Sequence, residues 1–292
     1  MTAVRLAGVF APITTPFDPG GHVAPARHAD NVARMCAAGL DGFLVAGSTG
    51  EAPLLDADEY RVLVAATQKV LPEGKTLLVG TGAEATRQAI ALSRAAGDEG
   101  AHAVVVRPPS YFGSVSPPES LVAYYRAVAD ASPIPVLVYN MPKYTHVTIA
   151  PAILEQLRDH ANIVGVKDSS GDAGNLAAYR RAVPRWAVLA GSASLLLEAL
   201  ELECTGGVAA VACFAPQPCA ELVSAFRAGD KAKAAAIQER LKPLDREIVA
   251  RHGPAGVKAA MDAAGYYGGP VRAPLTDVPA AERERIARLL AA

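Results

Sequence analysis

The chain has 292 residues, 51% of them hydrophobic, and its 28 Lys and Arg against 29 Asp and Glu leave a formal charge of −1. That balance offers no basic surplus to neutralise a phosphate backbone, so nucleic acid is not expected as a partner. The longest apolar stretch, residues 206–216, is too short to cross a bilayer, so no membrane association is expected either. Cys36, Cys204, Cys213 and Cys219 form no Cys-x-x-Cys pair, and the six histidines show no His-x-His or His-x-x-x-His spacing. Neither a metal site nor a disulfide framework is expected from them. Pro12, Pro16 and Asp18 interrupt the apolar N-terminus and no small-residue cleavage site follows. A cytoplasmic enzyme is the expectation.

In chain order, the first apolar run covers residues 8–17 and the second 42–47. Asp56 with Glu59 forms a capping box ahead of a helical pattern over 60–71, and a third run follows at 76–82. After a run at 103–107, Ser116 with Pro117 and Glu119 predicts a helix start, with proline at the first helical position. Runs at 135–140 and 163–167 come next, then Asp172 as a helix start, a run at 187–191, Ser194 as another start, and a last run at 207–211. The runs are rich in Val, Leu, Ile and Ala on both faces, as in parallel strands covered by helices. Eight such units predict an α/β fold, a closed (β/α)8 TIM barrel. A doubly wound open sheet is the weaker alternative, because it usually holds fewer strands and no Gly-x-Gly-x-x-Gly follows the first one.

Four further helical patterns lie at 216–228, 231–251, 256–264 and 280–290. The first closes the eighth unit, which divides the chain into a barrel domain over 1–228 and a C-terminal helical extension over 229–292.

A barrel of this kind builds its active site at the C-terminal ends of its strands. Those positions hold Thr14 and Thr15, the string Gly47-Ser48-Thr49-Gly50-Glu51, residues 107–111, Tyr139-Asn140, Lys167-Asp168-Ser169-Ser170 and Gly191-Ser192. Lys167 ends an apolar strand and points into the barrel mouth, where desolvation favours a free amine able to attack a carbonyl. Its alternative is a strand-end lysine reaching solvent, or paired with Asp168 or Glu51. Tyr139 ends the preceding strand, where a phenol beside an amine can relay protons; its alternative is packing. The glycines and hydroxyls of residues 47–51 could hold a carboxylate in a backbone nest, or form a plain turn that caps the next helix.

Taken in order, Ala11-Pro12-Ile13-Thr14-Thr15-Pro16-Phe17, Gly47-Ser48-Thr49-Gly50-Glu51, Tyr139-Asn140-Met141-Pro142 and Gly165-Val166-Lys167-Asp168-Ser169-Ser170-Gly171 resemble the dihydrodipicolinate synthase / N-acetylneuraminate lyase family. The resemblance runs from about Gly8 to the C-terminus. It implies a class I, pyruvate-dependent aldolase holding pyruvate as an imine on Lys167, with Tyr139 as the proton-transferring group. Ser48 and Thr49, with Gly47, would bind the pyruvate carboxylate and pass protons, while Gly191 and the backbone near Ala209 would line the pocket. A tyrosine after strand four crosses into the neighbouring subunit's site in several members, and Tyr111 is the match. The resemblance further implies a homo-oligomer, a tetramer or dimer, acting on a small-molecule keto acid and aldehyde. No cofactor is implied beyond the covalent imine, and no metal, so activity is expected to survive a chelator.

The departures bear on substrate. Where the synthase of this family carries an arginine for its substrate's carboxylate, this chain has Tyr144, with His146 in place of a usual glycine. A phenol cannot make arginine's bidentate carboxylate pair, so Tyr144 is expected to reshape the second-substrate pocket. The string over 265–275 is similar to the 4-hydroxy-2-oxoglutarate aldolase branch, which gives cleavage to pyruvate and glyoxylate as the leading expectation. Dihydrodipicolinate synthesis and a 2-keto-3-deoxy sugar-acid aldolase or dehydratase are the alternatives within the family. A non-catalytic sensor for keto acids or amino acids is the alternative of another class. A phosphate-binding barrel isomerase is disfavoured, because no glycine-rich loop follows the eighth run.

Overall fold

A computed structural model of the chain describes residues 4–113 and 115–291. Eight strands, β1 (Gly8–Ala11), β2 (Gly42–Val45), β3 (Thr76–Gly80), β4 (Ala103–Val106), β5 (Val136–Asn140), β6 (Ile163–Asp168), β7 (Ala187–Ala190) and β8 (Gly206–Val208), close into a barrel in sequence order. All neighbouring pairs are parallel, including β1 with β8. At that seam a Cβ on Gly206 would stand 1.8 Å from the Gly8 carbonyl oxygen, so only glycine lets the two strands meet.

Between the strands run α1 (Pro25–Cys36), α2 (Ala57–Gln68), α3 (Thr86–Asp98), α4 (Pro118–Ala131), the short α5 (Pro142–Thr145), α6 (Pro151–Leu157), α7 (Ala173–Ala182) and α8 (Leu196–Glu201). After β8 come α9 (Pro216–Arg227), α10 (Lys231–Leu244), α11 (Arg251–Ala263) and α12 (Ala280–Ala291).

Strand alternation sorts the core into two layers. Val9, Phe43, Val79, Val104, Val138 and Val166 face the helices, whereas Phe10, Leu44, Leu78, Val105, Leu137 and Leu189 fill the barrel interior. The β5–β6 register skips Val164, running from Val136 opposite Ile163 to Leu137 opposite Gly165. Beyond this bulge Tyr139 stands opposite Lys167, and Asn140 opposite Asp168. Tyr139 packs with the inner cluster, and Lys167 stands against its ring at the interior end of β6.

The expected Asp56 capping box is present, and Asp172 caps α7. Two other starts differ. The N-cap of α4 is Pro117, with Pro118 at the first position, and the Ser116 hydroxyl instead donates to the Phe112 carbonyl. Two consecutive prolines set the entry by their fixed φ and leave no place for a serine cap. Ahead of α8 it is Ser192, not Ser194, whose side chain caps the 3-10 turn Ala193–Leu195. The pattern over 231–251 is also not one continuous α-helix. After Pro243 it opens into a π-helical turn, Asp245–Ala250, and Gly253 (φ 57°, ψ −140°) with Pro254 breaks the backbone again. The first expected strand, at 8–17, ends at Ala11, since Pro12 has no N–H to continue the ladder.

Candidate active site

The strand ends and the C-terminal helices enclose a cavity of about 260 Å³, with Lys167, Tyr139, Ser48, Thr49 and Gly191 in its wall. Lys167 is 3% exposed and its Nζ lies 4.1 Å from the centre of the Tyr139 ring. The Tyr139 hydroxyl and the Ser48 Oγ are 3.4 Å apart, at the long end for a hydroxyl pair. Burial would raise the Tyr139 phenol. The Lys167 charge and hydrogen bonds from Ser48, Ser169 and Lys167 outweigh it and hold the phenol below its usual range.

The loop bearing Ser48 is held from several sides. Gly50 and Ala52 donate to the Gly47 carbonyl, and the Thr15 hydroxyl donates to the Gly50 carbonyl at 2.7 Å. Glu51 sits in the left-handed region (φ 57°), where its carboxylate turns away from the cavity into a fully buried pair with Lys258 of α11 at 2.6 Å. Lys258 also donates to the Pro270 carbonyl and lies 4.4 Å from the centre of the Phe17 ring. Burial pushes its ammonium pKa down, and Glu51 offsets part of that. Neither Ser48 nor Thr49 donates its N–H to a backbone oxygen among the described residues.

Asp168, the neighbour of Lys167, has a purely local set of partners. Its Oδ1 accepts from Asn140 Nδ2 at 2.7 Å and from the Ser170 N–H, and its Oδ2 accepts from the Ser170 hydroxyl. Lys167 therefore pairs with neither Asp168 nor Glu51, the two acids weighed as its partners.

Other expected site residues fall around this centre. Tyr144, 46% exposed, forms part of the outer wall with Lys143, whose ammonium donates to the Ala250 carbonyl at 2.8 Å. Val208 and Ala210 line the cavity, while Ala209 between them is fully buried and bonds to the β1 backbone. Gly47 borders a small neighbouring void with Ser48 and Tyr139. Thr14 is buried against the Met261 sulfur, outside the cavity. Tyr111 does not meet Lys167 within the chain. It is 81% exposed, edge-on to Phe112, on a loop that Glu84 holds through the N–H groups of Ser110 and Tyr111. Arg107 is engaged by the same Glu84.

The sequence reading missed Asp245, Val249, Gly253 and Val257, which roof the cavity from the C-terminal helices. In an uninterrupted helix they look like ordinary surface and core positions. Pro243 and the Gly253-Pro254 pair were the available hint that the helix bends there.

A buried lysine amine against a tyrosine ring at the mouth of a (β/α)8 barrel suits the imine-forming chemistry of a carbon–carbon lyase. The sequence matches the Dihydrodipicolinate synthetase family over residues 5–292, and the chain belongs to that family. It is 35% identical over 281 residues to the 4-hydroxy-tetrahydrodipicolinate synthase of Symbiobacterium thermophilum, covering 96% of this chain and 95% of the relative. It is 34% identical to the enzyme of that name from Methanospirillum hungatei, over 97% and 98% of the two chains. Among solved structures, a dihydrodipicolinate synthase of Bacillus anthracis superposes with a TM-score of 0.94 at 26% identity over 99% of both chains. YagE of E. coli K12, a prophage protein of the same family solved with pyruvate, gives 0.92 at 28% identity over 98% and 97%.

Proposed function

We propose that this protein is a Schiff-base lyase that cleaves or forms a 4-hydroxy-2-keto acid, with pyruvate as one partner and no metal or cofactor required. The observation that carries this reading is the buried Lys167 amine 4.1 Å from the Tyr139 ring, with Ser48 beside the phenol. In the cleavage direction, Lys167 Nζ attacks C2 and water leaves, giving an iminium. Tyr139 takes the proton of the C4 hydroxyl as the C3–C4 bond breaks, and the electron pair moves through the new enamine to nitrogen. The aldehyde departs, C3 is protonated, and hydrolysis releases pyruvate and the free lysine. The Ser48 and Thr49 N–H groups and hydroxyls, next to Gly47, suit the C1 carboxylate, and Gly191 gives the chain room on the β7 side.

The finer assignment turns on the far end of the substrate. 4-Hydroxy-2-oxoglutarate, the leading expectation from the 265–275 string, carries a second carboxylate, as does the product named for the sequence relatives. Of the nearby cations, Arg107 is ion-paired with Glu84, and Lys143 donates a hydrogen bond to the Ala250 carbonyl. Tyr144 supplies no charge. The cavity also presents the Ser170 hydroxyl and the carboxylate of Asp245, which favours the hydroxylated tail of a 2-keto-3-deoxy sugar acid. Pyruvate release from 2-keto-3-deoxygluconate and from 4-hydroxy-2-oxoglutarate, followed by coupled reduction, tests this choice. The reading requires the sugar acid to give the larger kcat/KM.

Tyr111 is proposed to act across a subunit boundary. Its exposure, with Phe112 at 67% and Val115 at 76%, supports a homo-oligomer built over that loop. No described helix is long and apolar enough to cross a membrane, which is compatible with the proposed cytoplasmic setting.

A further inference from the structure

The outer wall of the cavity contains one acid that the imine chemistry does not use. Asp245 is 6% exposed and lines the cavity at the first position of the π-helical turn. Its Oδ2 accepts from the Ser192 hydroxyl and, at 2.9 Å, from the Ser194 N–H. Oδ1 receives no hydrogen bond, and no cationic side chain pairs with Asp245 among the described residues. Lys143, on the same wall, donates to the Ala250 carbonyl and pairs with no acid among the described residues. A nearly buried carboxylate with a free oxygen on a ligand-sized cavity is a ready acceptor for the polar groups of a ligand. The turn that carries it has one residue more than an α-helical turn should, an irregularity that recurs at functional sites.

We propose that Asp245 is a specificity-determining residue, whose free oxygen accepts hydrogen bonds from the hydroxyl groups of the substrate beyond C4 and repels a carboxylate at the same place. This rests on the reading of Lys167 as the imine-forming residue, which fixes which end of the substrate lies deep. A hydroxylated chain supplies donors that satisfy the acid. A dicarboxylate would bring a like charge against Asp245 in a confined site. Ser192 then holds Asp245 in position and acts on the substrate only through it.

The test is direct binding of two six-carbon acids, gluconate and adipate, measured by calorimetry on the wild type and on Asp245→Asn. Asparagine keeps an oxygen for Ser192 and Ser194, so the variant should fold and melt as the wild type does. The wild type is expected to bind gluconate more tightly than adipate. In the variant, gluconate should weaken about tenfold as a charge-assisted hydrogen bond becomes neutral, and the preference should narrow by at least as much. An unchanged preference in the variant, or a wild type that favours adipate, overturns the proposal and leaves Asp245 as a cap for the turn after β7. Borohydride trapping of pyruvate on Lys167 is measured in parallel. Loss of trapping in the wild type refutes the imine reading, whereas loss of the gluconate preference alone refutes only the role of Asp245.

Discussion

Asn140 and Asp168, opposite each other at the ends of β5 and β6, are joined by a 2.7 Å hydrogen bond from Asn140 Nδ2 to Asp168 Oδ1. The Asn140 carbonyl oxygen of the side chain accepts the Ile149 N–H, so one buried amide bridges the loop after β5 and the strand that carries Lys167. The residues flanking Tyr139 and Lys167 thus lock the two strands at the level where the amine and the phenol meet.

Replacing Asp168 with Ala strands the buried Asn140 amide and removes the acceptor of the half-buried Ser170 N–H and hydroxyl. The expected loss is about 3 kcal/mol of unfolding free energy, read from urea denaturation. Asp168→Asn, which keeps one acceptor oxygen, should lose clearly less. Equal losses would mean that packing, not the hydrogen bonds, holds this corner.

Lys258 and Glu51 form a fully buried ion pair that ties α11 to the loop carrying Ser48. Lys258→Met leaves Glu51 charged without its partner and should cost about 3–5 kcal/mol. The double variant Glu51→Gln/Lys258→Met should recover a large part of that loss. A double-mutant cycle with no coupling would show that the pair contributes nothing to the join.

Glu84 links pH to the Tyr111 loop. Burial would raise its carboxyl, but the N–H groups of Tyr111 and Ser110, the Ser110 hydroxyl and Arg107 hold it at about 2 against a usual 4.5. Because the folded value lies below the unfolded one, its stabilising contribution is complete above about 4.5 and is lost as pH falls toward 2. Glu84→Gln should flatten that part of the stability-against-pH curve and increase amide exchange at Ser110 and Tyr111. An acid limb identical to the wild type would contradict the assignment.

Tyr139→Phe removes the proton-transferring group and leaves the amine. It should lower kcat by roughly 10²–10⁴-fold, while pyruvate still forms an adduct on Lys167, more slowly. The phenol sits below its ordinary value of 10 because of Lys167 and the hydroxyls around it. The rising limb of the wild-type pH–rate profile should therefore lie under pH 10 and be absent from the variant. A variant with full activity would move proton transfer to another group.

Much of this was legible in the sequence because barrel strands buried on both faces are nearly continuous apolar runs, and because their C-terminal ends announce polar residues abruptly. Lys167 after Ile163-Val164-Gly165-Val166 is the clearest case. Strand ends were less clear: apolar Ile13 and Phe17 continue the run after β1 stops at Ala11, since prolines end a ladder without ending an apolar stretch. Asp245 was illegible because its importance comes from a π-turn over the barrel mouth, a tertiary placement that leaves no period in the sequence. Glu51 looked like part of an active-site string, but its left-handed backbone turns it toward Lys258, more than two hundred residues away in the chain.

The central claim is that Lys167 carries the substrate as an imine. The most direct test is incubation with pyruvate and borohydride, followed by peptide mass spectrometry, with Lys167→Ala as control. A reduced pyruvate adduct on the Lys167 peptide, absent from the variant, is the predicted result. A folded wild-type protein that gains no adduct would contradict the mechanism and bring forward the reading of the barrel as a keto-acid sensor without turnover.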